Sequence, residues 1–149
     1  MWAIIPNILL NSPVAHVEAC RALGLVLNPV SVNLSLWNDT ELRGVVIFER
    51  YTHCAIFCHV VGFVPRWGCK RFLWMVFDYC FVQLGVDRVF GLVASNNLTA
   101  LNFIENLGFR EEARIRNVYP DADQVIVVLE KANCRFLKMS IRSDDAHAN

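Results

Sequence analysis

The sequence predicts one α/β (α+β) domain with the element order β-α-β-β-β-α-β-α-β-β, and three stretches carry that reading. In residues 87–109, Val89, Phe90, Leu92 and Val93 supply a buried strand, and Ser95, Asn96 and Asn97 end it with side chains suited to capping a helix. Ala100, Leu101, Ile104 and Leu107 then recur at helical spacing, Gly108 supplies the stop and Phe109 begins the return strand. Residues 30–63 hold three alternating apolar runs divided by polar turns, which read as a meander. Residues 69–84 form a long apolar run closed by Gly85, which reads as the central helix.

The remaining elements follow from local chemistry. Residues 1–10 are apolar but contain Pro6 and no basic segment, so they read as the first strand or its approach and not as a signal peptide. Ser12 as N-cap, Pro13 at the first helical position and Gly24 as stop define a helix over residues 13–23. The meander strands fall at residues 30–37, 43–51 and 54–63, and the later strands at 87–95, 109–118 and 124–130, with a helix over 97–107. In the central helix Phe72, Leu73, Trp74, Met75, Val76, Phe77, Tyr79 and Phe81 run around most of the circumference, which predicts burial on more than one side. A single domain over residues 1–137 and a polar tail over 138–149 complete the reading.

Composition narrows the function classes. The formal net charge is zero and the isoelectric point is about 6.9, so nothing in the charge balance calls for a nucleic-acid or acidic-membrane partner. Charged or turn residues interrupt every apolar run before the ~20 residues that a membrane span needs. The reading is therefore of a cytoplasmic protein. Hydrophobic residues make up 55% of the chain and mean hydropathy is +0.36, values that a homo-oligomer, in its simplest form a dimer, would explain by covering apolar surface. The six cysteines show neither a C-x-x-C pair nor zinc-like spacing to histidine, so no metal is expected and the thiols read as reduced and mostly buried.

The pattern Asn97-x-x-Ala100-x-x-x-Ile104-x-x-Leu107-Gly108-Phe109 resembles the segment that closes the cofactor half of the GCN5-related N-acetyltransferases (GNAT family). The resemblance extends upstream to the turn at residues 38–41 and the strand start at 43–46, and downstream to the strand at 124–129. Residues 53–63, 71–85 and 134–137 are most similar to compact acetyltransferase-like proteins of tailed bacteriophages. It implies a mixed, mostly antiparallel central sheet that splays between strands four and five, flanked by helices, with acetyl-CoA as co-substrate in the gap. A phage-infected bacterial host would be the compartment. The pyrophosphate is then expected at the N-terminus of the central helix, where free N–H groups and the helix dipole favour negative charge.

That loop reads Pro65-Arg66-Trp67-Gly68-Cys69-Lys70-Arg71, so Gly68 fills the first glycine position of the family pattern and Lys70 replaces the second. Two cations in a first helical turn oppose the macrodipole, which favours a phosphate-binding role for Lys70 and Arg71 over a merely solvated face. Val60, Val61, Trp67, Gly68, Cys69, Lys70, Arg71 and Asn97 are the expected cofactor-binding positions, although Asn97 serves equally well as a helix cap.

For catalysis, many relatives place a Glu on the fourth strand and a Tyr on the last helix; here Ile104 stands at the Tyr position. An amine of pKa about 8 and a thiol leaving group of about 8.5 need little proton help near neutrality. His59 is the candidate base, on a strand face shared with Ala55, Phe57 and Val61, and the alternative is a core histidine bonded to backbone. Glu49 and Tyr51 share a face of the preceding strand and could reach the same cleft. His53 reads as a solvent-facing turn residue, and Cys58 as a thiol with no activating partner. The acceptor, a primary amine on a protein N-terminus, a lysine or a small molecule, would approach past the first helix, its following loop and residues 118–124. There Asp121 and Asp123 read either as an amine site or as an acidic hairpin turn. The alternative to an enzyme is a catalytically silent CoA-binding or host-interaction protein.

Overall fold

Side-chain alternation along the strands decides which helix each sheet face receives. In the computed structural model, which describes residues 7–138, the chain forms β1 (Ile8–Leu10), α1 (Pro13–Leu23), β2 (Val32–Asn38), β3 (Glu41–Glu49), β4 (Ala55–Gly62), α2 (Lys70–Asp78), β5 (Arg88–Ala94), α3 (Leu98–Leu107), β6 (Arg110–Tyr119) and β7 (Ala122–Glu130). These strands build one seven-stranded sheet in the order β1-β2-β3-β4-β5-β7-β6. Every neighbouring pair is antiparallel except β4 with β5, whose parallel pairing requires a crossover, and α2 supplies it. The mixed, mostly antiparallel sheet flanked by helices is thus the observed architecture. The expected start of the chain at residues 1–6 and the tail at 139–149 lie outside the described residues.

Val45 and Ile47 of β3 pack against Ala15, Ala19 and Cys20 of α1. Their neighbours Val46 and Phe48 face the opposite side with Ile56, Cys58 and Val89, where they meet Phe72, Leu73, Val76 and Phe77 of α2. α3 lies on the α2 side, with Ala100, Leu101 and Ile104 over Val93, Val125 and Val127. The local signals behind these helices are physical: Ser12 Oγ accepts from Ala15 N at 3.2 Å, Pro13 opens α1, and Gly24 closes it at φ +66°. Gly108 closes α3 at φ +105°, in the left-handed region that favours glycine.

The central helix differs from its expected form. It begins one residue later, with Cys69 as N-cap whose Sγ accepts from Phe72 N at 3.4 Å, and gives way after Asp78 to a π-helical turn, Tyr79–Gln83. The cause lies in the apolar repeat. Phe72, Val76 and Cys80, like Leu73, Phe77 and Phe81, are spaced by four residues, longer than the 3.6 of an α-helix, and a widened turn keeps Cys80 and Phe81 fully buried. The helix also buries one face and not several: Trp74 and Met75 are half-buried, and Val82 just beyond it is 60% exposed.

All six cysteines are free, with Cys20, Cys58, Cys80 and Cys134 buried and Cys54 and Cys69 exposed. A thiol reagent at neutral pH is therefore expected to titrate two thiols in the native protein and six in denaturant; four or more fast-reacting native thiols would contradict this core. The β6 edge is exposed throughout and carries charge, with Arg110 bridging Glu112 and Glu130 at 2.8 Å each and Arg114 bridging Glu111 at 2.9 Å. Charged edges of this kind resist edge-to-edge pairing. Among the described residues no helix is long and apolar enough to cross a membrane.

Candidate active site

β4 and β5 pair from Ala55↔Arg88 to Cys58↔Gly91 and then part, β4 continuing to Gly62 beside β3 and β5 to Ala94 beside β7. Beyond Cys58 the facing edges of both strands keep backbone N–H and C=O groups without strand partners, which suits them to an extended ligand with amides of its own. A cavity of about 780 Å³ opens there. Its wall includes Leu73, Val76 and Phe77 from the α2 side and Ala22, Leu23 and Val61 from the α1 side, so it passes through the sheet. That volume lies within the range of small-molecule and cofactor sites, roughly 300–1,000 Å³.

Five of the expected cofactor-binding residues line this cavity: Val60, Val61, Trp67, Gly68 and Asn97. Cys69, Lys70 and Arg71 do not; they form the N-cap and first turn of α2 beside its mouth. Among the described residues Lys70, Arg71 and the wall residue Arg66 have no carboxylate partner, so three cations stand unneutralised at this end. Asn97 caps α3 through Oδ1, which accepts from Ala100 N at 3.2 Å, and this leaves its amide NH2 for another partner. Asn97→Ala is expected to lower unfolding free energy by about 1 kcal/mol in denaturant titration.

Trp67 has a packing role that its place in the sequence does not disclose. Gly44 and Gly62 pair across β3 and β4, and a Cβ on either would overlap the Trp67 indole, so the two glycines form a seat for that ring. Phe72 and Phe103 flank it at centroid distances of 5.9 and 5.5 Å.

On the α1 face, β3–β4 register sets Glu49 opposite Phe57 and Ile47 opposite His59, one step beyond the last β4–β5 pair. His59 Nε2 lies 3.2 Å from Glu49 Oε2, and Glu49 Oε1 accepts from Ser31 Oγ at 2.8 Å. A carboxylate only accepts, so Nε2 carries the hydrogen and donates it, and Nδ1 of neutral His59 keeps the lone pair a base requires. The two side chains retain 15% and 20% of their exposure, so the pair is sheltered yet reachable. Ser31, invisible to motif reading, fixes the far oxygen of Glu49. A second, shallower hollow of about 470 Å³ adjoins the pair, lined by Glu49, Arg50 and the loop after α1 from Leu25 to Pro29.

Other candidates fall away from the site. Tyr51 does not share the face of Glu49, because β3 ends at Glu49 and Arg50 turns the chain at φ +55°; its hydroxyl donates to Leu84 O at 3.3 Å and lies 3.2 Å from His53 Nδ1. His53 is exposed in that turn. Cys58 lines the cavity, but burial first, and the neighbouring Cys80 second, push its thiol well above the ordinary range, so it stays protonated and unreactive. Asp123 is held by the hairpin, accepting from Asn117 N at 3.1 Å and pairing with Arg114 at 3.7 Å. Ile104 makes an apolar wall, while Tyr119, at the end of β6, contributes a phenol elsewhere on the same cavity. Among the described residues no group of three His, Cys, Asp or Glu side chains is placed to hold a metal ion.

No protein-family model and no curated protein matches the chain. Solved structures do. The fold superposes on a protein put forward as an acetyltransferase, with a TM-score of 0.68, 20% identity and coverage of 85% of this chain and 87% of that one. It also matches the Campylobacter jejuni N-acetyltransferase PseH in complex with acetyl coenzyme A, with a TM-score of 0.56, 17% identity and coverage of 78% and 77%. A third match is the spermidine N-acetyltransferase of Vibrio cholerae in complex with CoA and spermine, with a TM-score of 0.59, 18% identity and coverage of 73% and 69%. The chain has the GNAT fold, shared here with proteins that move acetyl groups.

Proposed function

We propose that the protein is an N-acetyltransferase that moves an acetyl group from acetyl-CoA to a primary amine by direct attack. One observation carries this reading: the cavity crosses the sheet where β4 and β5 part, and His59, the residue that follows the last β4–β5 pair, meets Glu49 of β3 just outside the residues that line it. The GNAT fold supports it. Acetyl-CoA fits the residues present: β4 offers an unpaired edge at Val60 and Val61, the α2 N-terminus offers amides beside Gly68 and Cys69, and Arg66, Lys70 and Arg71 offer positive charge for a pyrophosphate. Trp67 and Asn97 bound its path. Bound there, the thioester supplies an activated acyl group.

The residues of the chain do the rest. His59 takes a proton from the acceptor nitrogen at Nδ1 as the N–C bond forms, Glu49 stabilises the resulting imidazolium, and Ser31 holds Glu49 in place. The C–S bond breaks and the sulfur gains a proton, so amine and thioester become amide and thiol. With Ile104 in the wall, proton return falls to Tyr119 or water. Holding amine and thioester in attack geometry contributes roughly 7–11 kcal/mol, more than a general acid contributes, roughly 10²- to 10⁴-fold in rate.

Acetyl-CoA at about 100 times its Kd is expected to stabilise the fold by about 2.7 kcal/mol, raising Tm on the order of 5–10 °C. Release of free thiol with a panel of amines then tests transfer. Replacing Lys70 and Arg71 together by alanine is expected to weaken CoA binding and flatten its salt dependence in calorimetry; unchanged affinity would remove their phosphate role.

Lys70 at a family glycine position and Ile104 at a family tyrosine position favour a second reading, a catalytically silent CoA-binding or host-interaction protein of phage origin. Stabilisation by acetyl-CoA without turnover on any amine would select it.

A further inference from the structure

Resting on the acetyltransferase reading, we infer that the acceptor is a small amphoteric amine, an apolar α-amino acid or similar aminocarboxylate, and not a polyamine. The hollow beside the catalytic pair places one acidic and one basic side chain next to each other in sequence, Glu49 and Arg50. Glu49 is engaged by His59 and Ser31, which marks that end for the nitrogen that loses a proton. Arg50 has no carboxylate partner among the described residues. Its guanidinium stands 5.7 Å from the centroid of Phe57, whose ring stacks on Phe90 at 5.2 Å. A guanidinium held over a ring keeps its N–H fork for an anion, and a carboxylate matches that fork in two parallel hydrogen bonds.

Apart from Asn28, the rest of the hollow is apolar. Leu25, Val26, Leu27 and Pro29 line it, with Val26 90% and Leu27 51% exposed, which offers an apolar side chain something to cover. A polyamine asks for carboxylates at successive cationic nitrogens. This hollow has one carboxylate, already paired, beside an arginine that repels a second cation. About 470 Å³ accommodates an amino acid. In the transfer the α-amine bonds to the acetyl carbon and releases one proton, the thiol leaves, and the carboxylate remains unchanged at Arg50.

The test compares leucine, leucinamide and spermidine as acceptors, with acetyl-CoA saturating and free thiol as readout. Leucine is expected to show a kcat/KM at least tenfold above leucinamide, carried in KM, and spermidine to be the poorest. Arg50→Ala should remove that preference, bringing leucine kcat/KM down to the leucinamide value, and Arg50→Lys should restore part of it. Calorimetry should show leucine, but not leucinamide, losing affinity in Arg50→Ala. Equal or better use of leucinamide or spermidine, or an Arg50→Ala protein that keeps the preference, overturns the acceptor assignment and leaves the transferase reading standing. Stabilisation by acetyl-CoA with no turnover of any acceptor overturns both.

Discussion

His59→Ala is expected to lower kcat/KM for amine acetylation by about 10²- to 10⁴-fold, the range for a lost general base, with little change in acetyl-CoA affinity. The hydrogen bond from Nε2 to Glu49 fixes the neutral tautomer and leaves Nδ1 as acceptor. Two companion variants separate a base from a packing residue. Glu49→Gln preserves volume but presents an amide that also donates, so it upsets the tautomer and lowers the rate while the fold persists. A higher-pH assay then discriminates: because the amine deprotonates unaided, the His59→Ala deficit should shrink as pH rises toward and beyond the acceptor pKa. A pH-independent deficit, or none, would assign His59 to packing.

Trp67→Ala is expected to reduce unfolding free energy by about 3 kcal/mol, at the lower end for a large aromatic because the ring is half-buried. The loss spreads over its contacts with Phe72 and Phe103 and bares the glycine seat on β3 and β4. Gly62→Val attacks the same seat from below. Its side chain overlaps the indole and must displace it, a strain of about 1–3 kcal/mol. Both variants should weaken acetyl-CoA binding, because the ring and the Gly68 loop share one wall of the cavity. Denaturant titration with and without the ligand separates the effects. A Gly62→Val protein as stable as the parent would show that the indole does not occupy this seat.

Helices α1 and α3 were legible in the sequence because their ends are written locally: Ser12, Pro13 and Gly24 for one, Asn97 and Gly108 for the other. Strand alternation likewise foretold that His59 shares a face with Phe57 and Val61. What alternation does not encode is register. The meeting of Glu49 with His59 depends on Glu49↔Phe57 pairing, and that of Gly44 with Gly62 on the same ladder. The parting of β4 from β5 is a non-local event that periodicity cannot display; resemblance to a family supplied it. Ser31 and Arg50 carry no motif, and each gains meaning only once the chain closes around Glu49. Tyr51 departs from the Glu49 face for a related reason: alternation along the sequence carries that face to residue 51, but β3 ends at Glu49 and the left-handed turn at Arg50 breaks the alternation. The break in the central helix had a visible trace in the four-residue spacing of Phe72, Val76 and Cys80.

Amide hydrogen exchange with and without acetyl-CoA addresses the central claim most directly, because the backbone groups freed where β4 leaves β5 are the ones the ligand would cover. Slower exchange at residues 59–62 and 68–71, with β6 unaffected, is the expected result. Unchanged exchange along both segments in the presence of saturating acetyl-CoA would contradict it.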